Sequence, residues 1–298
     1  MKNVKKLSNK EPTKDISRDD LKSKIPLSTS KKKRIVKISK NLSFGGDKLP
    51  IIAGPNGVES EKLMINVAKQ LKKNNIHIIR GHAYKPLTFP YRSKQYSESR
   101  DKGMDIMDEI KKDFGLLVVT EVTELRFLER INKTADILQI GSRNMQNLEL
   151  IKKIASTNKP IILKRHFGSS IRDLLGAAEH ILLEGNSNLI LCERGMSIPH
   201  THRSTSRFAL DIQAIPALKE ISCLPVISDP SHASFWAPWV PSLTYASIAA
   251  GCDGLIIEIH PNPKKSFVDP LQPLNFNQFK RLITKSKKIS ILFNKKII

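Results

Sequence analysis

A repeated beat constrains this chain more than any other feature. A short apolar run stops at a glycine, a proline or a charged residue, and a stretch with helical spacing follows. The first instance, Ile51-Ile52-Ala53-Gly54-Pro55-Asn56, reads as a buried strand whose C-terminal end carries Asn56 into an opening. Leu63, Ile65, Val67, Ala68 and Leu71 then recur at the period of an amphipathic helix begun near Ser60. Further strands are predicted from Ile76 into a loop at Lys85, then at Leu116–Val122, Asp136–Gly141, Pro160–Arg165, Leu189–Gly195, Pro225–Pro230 and Gly254–Pro261. Helical patterns fill the gaps at about 99–113, 123–133, 146–156, 170–184, 211–220 and 238–250, with a last one near 275–291. About eight such units with near-continuous apolar strands are the pattern of parallel strands covered by helices. A closed (β/α)8 TIM barrel is the α/β fold this predicts, and 298 residues suit it. An open doubly wound sheet is the alternative, but no glycine-rich dinucleotide fingerprint follows any strand.

The two ends differ from the centre. Residues 1–34 are rich in Lys and Ser, bury too little apolar surface to offset the entropy of ordering, and read as a basic tail, disordered or loosely helical. Ile35-Val36-Lys37-Ile38 and Leu42–Asp47 suggest a short hairpin, turned at Gly45-Gly46, that closes the bottom of the barrel. The barrel domain is thus expected over 35–298. The formal charge of +22 attracts polyanions or small phosphorylated and carboxylated ligands. Lys31-Lys32-Lys33-Arg34 reads either as a nuclear-import or nucleic-acid patch or as a solvated charge run, the commoner case, so nucleic acid is not the expected partner. No apolar run is long enough to span a membrane and no hydrophobic signal region follows the basic N-terminus, which predicts a cytoplasmic protein without membrane contact. Cys192, Cys223 and Cys252 sit in apolar segments without metal-ligand spacing, as buried reduced thiols do.

In such a barrel the C-terminal strand ends converge on one face. Here they carry Asn56, Arg80, Lys85, Glu121, Gln139, Arg143, Asn144, Lys164, Arg165, Glu193, Arg194, Asp229, Ser231, His232, Glu258 and His260, with Asp269 in the loop after the last strand. One basic residue at a strand end is commonly a rim salt bridge. At least four arginines and lysines on one face would be costly to bury without anions, so together they read as a pocket for a small, multiply anionic substrate. Guanidinium forks match phosphate and carboxylate. His232, Glu258 and Asp269 read either as a divalent-metal or acid–base site or as a hydrogen-bonded network. Serine-nucleophile, P-loop and zinc-finger patterns are absent.

These strand ends also resemble a known family. Ile52-Ala53-Gly54-Pro55, Arg80-Gly81-His82-Ala83-Tyr84-Lys85-Pro86, Gln139-Ile140-Gly141-Ser142-Arg143-Asn144, Leu163-Lys164-Arg165, Leu191-Cys192-Glu193-Arg194-Gly195, Asp229-Pro230-Ser231-His232 and Glu258-Ile259-His260-Pro261 resemble the 3-deoxy-7-phosphoheptulonate (DAHP) synthases of the shikimate pathway and aromatic amino-acid biosynthesis. The likeness is to their type Iβ subgroup, akin to the 3-deoxy-octulosonate-8-phosphate synthases, and covers about residues 45 to 275 in order. The resemblance implies a barrel transferase that assembles as a homo-oligomer, dimer or tetramer. It condenses phosphoenolpyruvate with an aldose or aldose phosphate, erythrose 4-phosphate in the family, and releases phosphate after water adds at C2. Carried over by motif, Arg80, Lys85 and Lys164 would hold the phosphoenolpyruvate carboxylate region, while Arg143, Arg194 and backbone near Ser142 would hold its phosphate. Such charges, fixed in advance, suit an oxocarbenium-like C2 and a departing phosphate. His232, Glu258 and Asp269 match three family metal ligands, and the resemblance makes Lys85, Asn56 and His232 the catalytic candidates.

The departures bear on cofactor and acceptor. Asn56 stands where the family's fourth ligand is usually a cysteine, and a neutral carboxamide is a poor substitute for a thiolate. The related octulosonate synthases include a metal-independent class with asparagine here. Either no cofactor is required, or a weaker site holds a divalent metal such as Mn or Fe. In the acceptor region, which takes in Pro86 and Thr88, Leu87 replaces an arginine, and His82 and His166 replace glycines. A different or unphosphorylated acceptor follows, with a non-catalytic, anion-binding regulatory or partner subunit as the alternative. The short N-terminus has no room for the regulatory domains of some relatives, so feedback inhibition of that kind is not expected.

Overall fold

The structure, a computed structural model, describes residues 24–30, 32–86, 97–199 and 208–298. A hairpin of β1 (Val36–Ser39) and β2 (Leu42–Phe44) leads through β3 (Lys48–Leu49) into the strands β4 (Ile51–Gly54), β5 (Ile78–Arg80), β6 (Leu117–Glu121), β7 (Ile137–Ile140), β8 (Ile161–Lys164), β9 (Leu189–Glu193), β10 (Val226–Ser228) and β11 (Leu255–Glu258). These run parallel, each beside its sequence neighbour. Pairing of β11 with β4, from Leu255 on Ile51 to Glu258 on Gly54, closes the sheet into the expected barrel.

The two-residue period of the strands then decides what the barrel holds. Ile52, Ile78, Val119, Ile137, Ile162, Ile190, Ile227 and Ile256, one per strand, pack together inside the barrel. Their strand neighbours, such as Ile51, Ile79, Val118 and Leu138, belong to the outer core against the helices. Two residues beyond the inner layer, the same inward direction falls to Gly54, Arg80, Glu121, Gln139, Lys164, Cys192, Asp229 and Glu258. Branched apolar side chains fill the lower barrel, and the layer above them is almost wholly polar.

Helices cover the outside, and their ends are satisfied locally. Ser60 accepts from the Leu63 amide to start the helix Glu61–Lys73, which buries Met64, Val67, Ala68 and Leu71. Ser170 with Asp173, and Asn275 with Gln278, form capping boxes for the helices Ile171–Leu183 and Phe276–Leu292. A five-residue helix, Pro230–Ser234, follows β10 where the sequence predicted only a strand end. Among the described residues, no helix is long and apolar enough to cross a membrane.

The barrel bottom departs from expectation in two ways. Val36, Leu42 and Phe44 of the hairpin join the inner apolar layer as a plug. Its turn, however, is at Lys40-Asn41, because Val36 pairs with Phe44 and Ser39 with Leu42. Gly45, at φ +96, instead redirects the chain toward β3, where a Cβ would lie 2.5 Å from the Arg34 carbonyl oxygen. The packed chain also begins before the predicted boundary at residue 35. Glu179 accepts from the Leu27 amide at 2.8 Å and from the Ser28 amide and hydroxyl at 2.8 and 2.6 Å. Ser28 in turn accepts from the Cys223 amide at 2.8 Å. A buried carboxylate orders this segment, and composition does not reveal it. The rest of the predicted tail, 1–23 and 31, lies outside the described residues. At the other end β12 (Lys296–Ile297) pairs with β3.

Candidate active site

A cavity of about 320 Å³ opens over the C-terminal strand ends. A larger groove, about 790 Å³, crosses the outer helices, but exposed side chains of both signs such as Glu129, Lys152 and Lys153 line it. The buried, convergent polar groups are at the barrel mouth, which is where chemistry has the means to occur.

Four cationic side chains line that cavity. Lys85 pairs with Glu121 at 2.8 Å, and Lys164 with Asp229 at 2.5 Å. Arg194 donates to the His232 carbonyl at 3.2 Å and stacks its guanidinium 4.2 Å from the Phe208 ring centroid. Arg143 stands exposed on the turn Ser142–Asn144 and makes no ion pair among the described residues. Gly141 makes room for this arrangement, because a Cβ there would lie 1.9 Å from Glu121 Oε1. Burial opposes charge on Glu121, but the Lys85 ammonium, which also donates to it, together with His82 and Lys164 outweighs this and holds the carboxyl below its usual range. Asp229 is likewise held low against its burial by His232 and Lys164.

Arg80 sits beneath the lining with no solvent exposure. Its Nε donates to the Gly54 carbonyl at 3.1 Å and its Nη2 to Glu258 Oε2 at 2.7 Å. Gly54, at φ +152, permits this approach, since a Cβ there would lie 2.1 Å from the Arg80 carbonyl oxygen. Burial pushes the Glu258 carboxyl up to about 8, against the pull of Arg80.

The third group surrounds Asn56. Its amide donates to Asp269 Oδ2 at 3.2 Å, while its Oδ1 is buried without a partner among the described residues. His232 Nδ1 meets Asp229 Oδ2 at 2.8 Å, and burial drives this imidazole down to about 3, so it is neutral. Next to Asn56, His82 is buried, and its Nδ1 accepts from the Glu121 amide at 2.9 Å. Burial lowers its pKa well below the ordinary imidazole value. Gln139 Oε1, Glu258 Oε1 and Arg80 Nη1 also lack partners among the described residues. Buried polar atoms left this way cost about 1–3 kcal/mol each, and their concentration here fits a site completed by a polar ligand.

The DAHP synthetase I family profile matches residues 26–294. The phospho-2-dehydro-3-deoxyheptonate aldolase of Thermotoga maritima is 39% identical over 250 residues, 84% of this chain and 72% of that protein. The chain belongs to the DAHP synthetase I family. A crystal structure of the Thermotoga DAHP synthase superposes with a TM-score of 0.84 at 36% identity, covering 90% of this chain and 76% of the other. The truncated form of the Thermotoga enzyme gives 0.83 at 34% identity, over 92% and 100%. More distant is a 2-dehydro-3-deoxyphosphooctonate aldolase of Legionella pneumophila, 27% identical over 82% of this chain and 93% of that protein. This is a family of phosphoenolpyruvate-dependent enzymes that form a carbon–carbon bond with an aldose phosphate, and it is generally metal-dependent.

The residues of this member do not fit a divalent ion. Glu258 Oε2 is taken by Arg80 and Gln272, and although Oε1 has no partner among the described residues, a cation there would sit beside the same guanidinium. His232 Nε2 stands 3.7 Å from the same oxygen, and the position of a soft ligand holds the Asn56 amide. Among the described residues, no three His, Cys, Asp or Glu side chains gather closely enough to hold a metal. In this structure His232 pairs with Asp229, Glu258 with Arg80 and Gln272, and Asp269 accepts from Asn56.

Of the other predicted positions, Asn56, His82, Lys85, Pro86, Ser142, Arg143, Lys164, Arg194, His232 and Asp269 line the cavity, while Arg80 and Glu258 lie under it. His166 is turned aside: its Nδ1 accepts from the Gly168 amide at 3.1 Å, and Phe167 takes the lining position. Thr88 and Leu87 lie outside the described residues. The sequence reading overlooked the apolar wall of Phe167, Phe208 and Val268, which follows no strand-end period.

Proposed function

We propose that this protein condenses phosphoenolpyruvate with an aldose phosphate at the barrel mouth without a required metal. The observation that carries the reading is the convergence of Lys85, Arg143, Lys164 and Arg194 on one cavity. A ligand bearing both carboxylate and phosphate matches such a set of ammonium and guanidinium donors. Lys164 and Lys85 hold the carboxylate end, and Arg143 and Arg194 the phosphate.

The C3 carbon of phosphoenolpyruvate then attacks the aldehyde carbon. Water adds to the oxocarbenium-like C2, and the C2–O bond to phosphate breaks as phosphate leaves. Fixed cations stabilise the departing phosphate without reorganisation. Asn56 Oδ1, buried without a partner among the described residues, orients the water or aldehyde in place of a metal. His232, neutral and held by Asp229, stands beside it. A homo-oligomer acting in the cytoplasm on the shikimate route accords with the family.

Incubation with phosphoenolpyruvate and erythrose 4-phosphate, then with a panel of aldoses and aldose phosphates, should give enzyme-dependent phosphate release. No release with any acceptor would overturn the reading.

A further inference from the structure

His82 occupies a place in the cavity that the anion-binding set does not explain. Its backbone is fixed on both sides: its amide donates to the Asn56 carbonyl at 3.3 Å, and its carbonyl accepts from the Val58 amide at 3.2 Å. The ring is fixed as well. A backbone N–H can only donate, so the 2.9 Å contact from the Glu121 amide makes His82 Nδ1 an acceptor. The ring proton must then reside on Nε2, and the protein backbone, which cannot change its protonation, selects that tautomer. No residue among those described partners Nε2, while the side chain is 1% exposed and lines the cavity. The result is an uncharged N–H donor on a residue that lines a cavity already rich in lysine and arginine.

We propose that His82 is a specificity-determining residue of the acceptor site, donating its Nε2–H to a neutral oxygen, carbonyl or hydroxyl, of the aldose. The inference rests on the phosphoenolpyruvate and aldose reading above. The chemistry favours a neutral oxygen over a phosphate. Phosphate is best bound by charged donors, which the cavity offers in Lys85, Lys164, Arg143 and Arg194, whereas an uncharged imidazole N–H is matched to a hydroxyl or carbonyl acceptor. The position agrees: His82 lies next to Asn56, the residue read above as orienting the water or aldehyde. An acceptor lacking that oxygen would leave the Nε2–H buried and unpaired, which is how polar sites discriminate strongly.

The test compares the wild type with His82→Ala and His82→Gln, since a glutamine amide can present an N–H near the Nε2 position. Steady-state kinetics should show KM for erythrose 4-phosphate raised about tenfold in His82→Ala, with KM for phosphoenolpyruvate within about twofold, and largely recovered in His82→Gln. The same penalty should persist with unphosphorylated erythrose. If it vanishes there, His82 reads the phosphate and the proposal fails. It also fails if KM for phosphoenolpyruvate rises equally, as a structural defect would cause. Calorimetric titration of erythrose 4-phosphate covers the case of no turnover. Weaker binding to His82→Ala with unchanged phosphoenolpyruvate binding upholds the role of His82 while the catalytic reading falls, and equal binding to both proteins overturns it.

Discussion

Arg80 and Glu258 form an ion pair at 2.7 Å with neither side chain exposed to solvent. They come from β5 and β11, the strands on either side of β4, and they meet across Gly54, the one position of the inner ring with no side chain. The pair therefore ties three strands together directly beneath the cavity.

Breaking this pair from one side should be severe. Arg80→Met leaves the buried Glu258 carboxyl protonated and without its guanidinium partner, and a stability loss of about 1–3 kcal/mol is expected in urea denaturation. Arg80→Met with Glu258→Leu should recover most of that loss. If the double variant is as unstable as the single one, the cost lies in packing and not in the unpartnered carboxyl.

Arg143 should behave in the opposite manner. It is exposed and makes no ion pair among the described residues, so Arg143→Ala should leave stability within about 0.5 kcal/mol of wild type. Losing a charge-assisted hydrogen bond to phosphate is worth about 1.5–3 kcal/mol, which corresponds to KM for phosphoenolpyruvate rising about ten- to a hundredfold. An unchanged KM would remove Arg143 from the phosphate site.

How these roles could be read in advance depends on the residue. The inner ring was legible because a two-residue period makes the residue two beyond a buried isoleucine point inward, so Ile162 places Lys164 and Ile227 places Asp229. The resemblance named the cations but not their partners: that Glu258 is bound by Arg80 and Gln272 depends on three-dimensional register. His166 misses the cavity and Phe167 lines it because a single step along a loop decides which side chain faces inward. The burial of Ser28 on Glu179, about 150 residues away in sequence, had no local signal at all.

Metal removal tests whether this protein departs from the general habit of its family. Asn56 donates to Asp269 where a thiolate would coordinate, so exhaustive dialysis against chelator should leave phosphate release within about twofold of the untreated protein. Loss of activity that added divalent metal restores would show that the ion pairs around Glu258 rearrange to bind it.

Glu179 should prove to be the anchor of the N-terminal segment. It accepts three hydrogen bonds from Leu27 and Ser28, and those amides have no replacement acceptor if the carboxylate is lost. Glu179→Ala is expected to cost about 3 kcal/mol and to speed proteolysis near residues 24–30, with little change in KM for phosphoenolpyruvate. Unaltered proteolysis would place the anchor elsewhere.

The burial of His82 carries a consequence for stability as well as for specificity. Burial holds its imidazole neutral, opposed by Glu121 and assisted by Lys85, Arg80 and Lys164. In the unfolded chain the same ring takes up a proton below about pH 6.5, so there the unfolded state binds more protons than the folded state. The stability contributed by neutral His82 is thus present above that value and is lost as pH falls. Between about pH 7.5 and about pH 5.5 the wild type should lose about 1.4 kcal/mol relative to His82→Gln, which has no proton to take up. Urea denaturation of both proteins at the two pH values measures the difference. Parallel losses would mean that His82 is protonated in the folded protein, and the Glu121 amide could not then donate to its Nδ1.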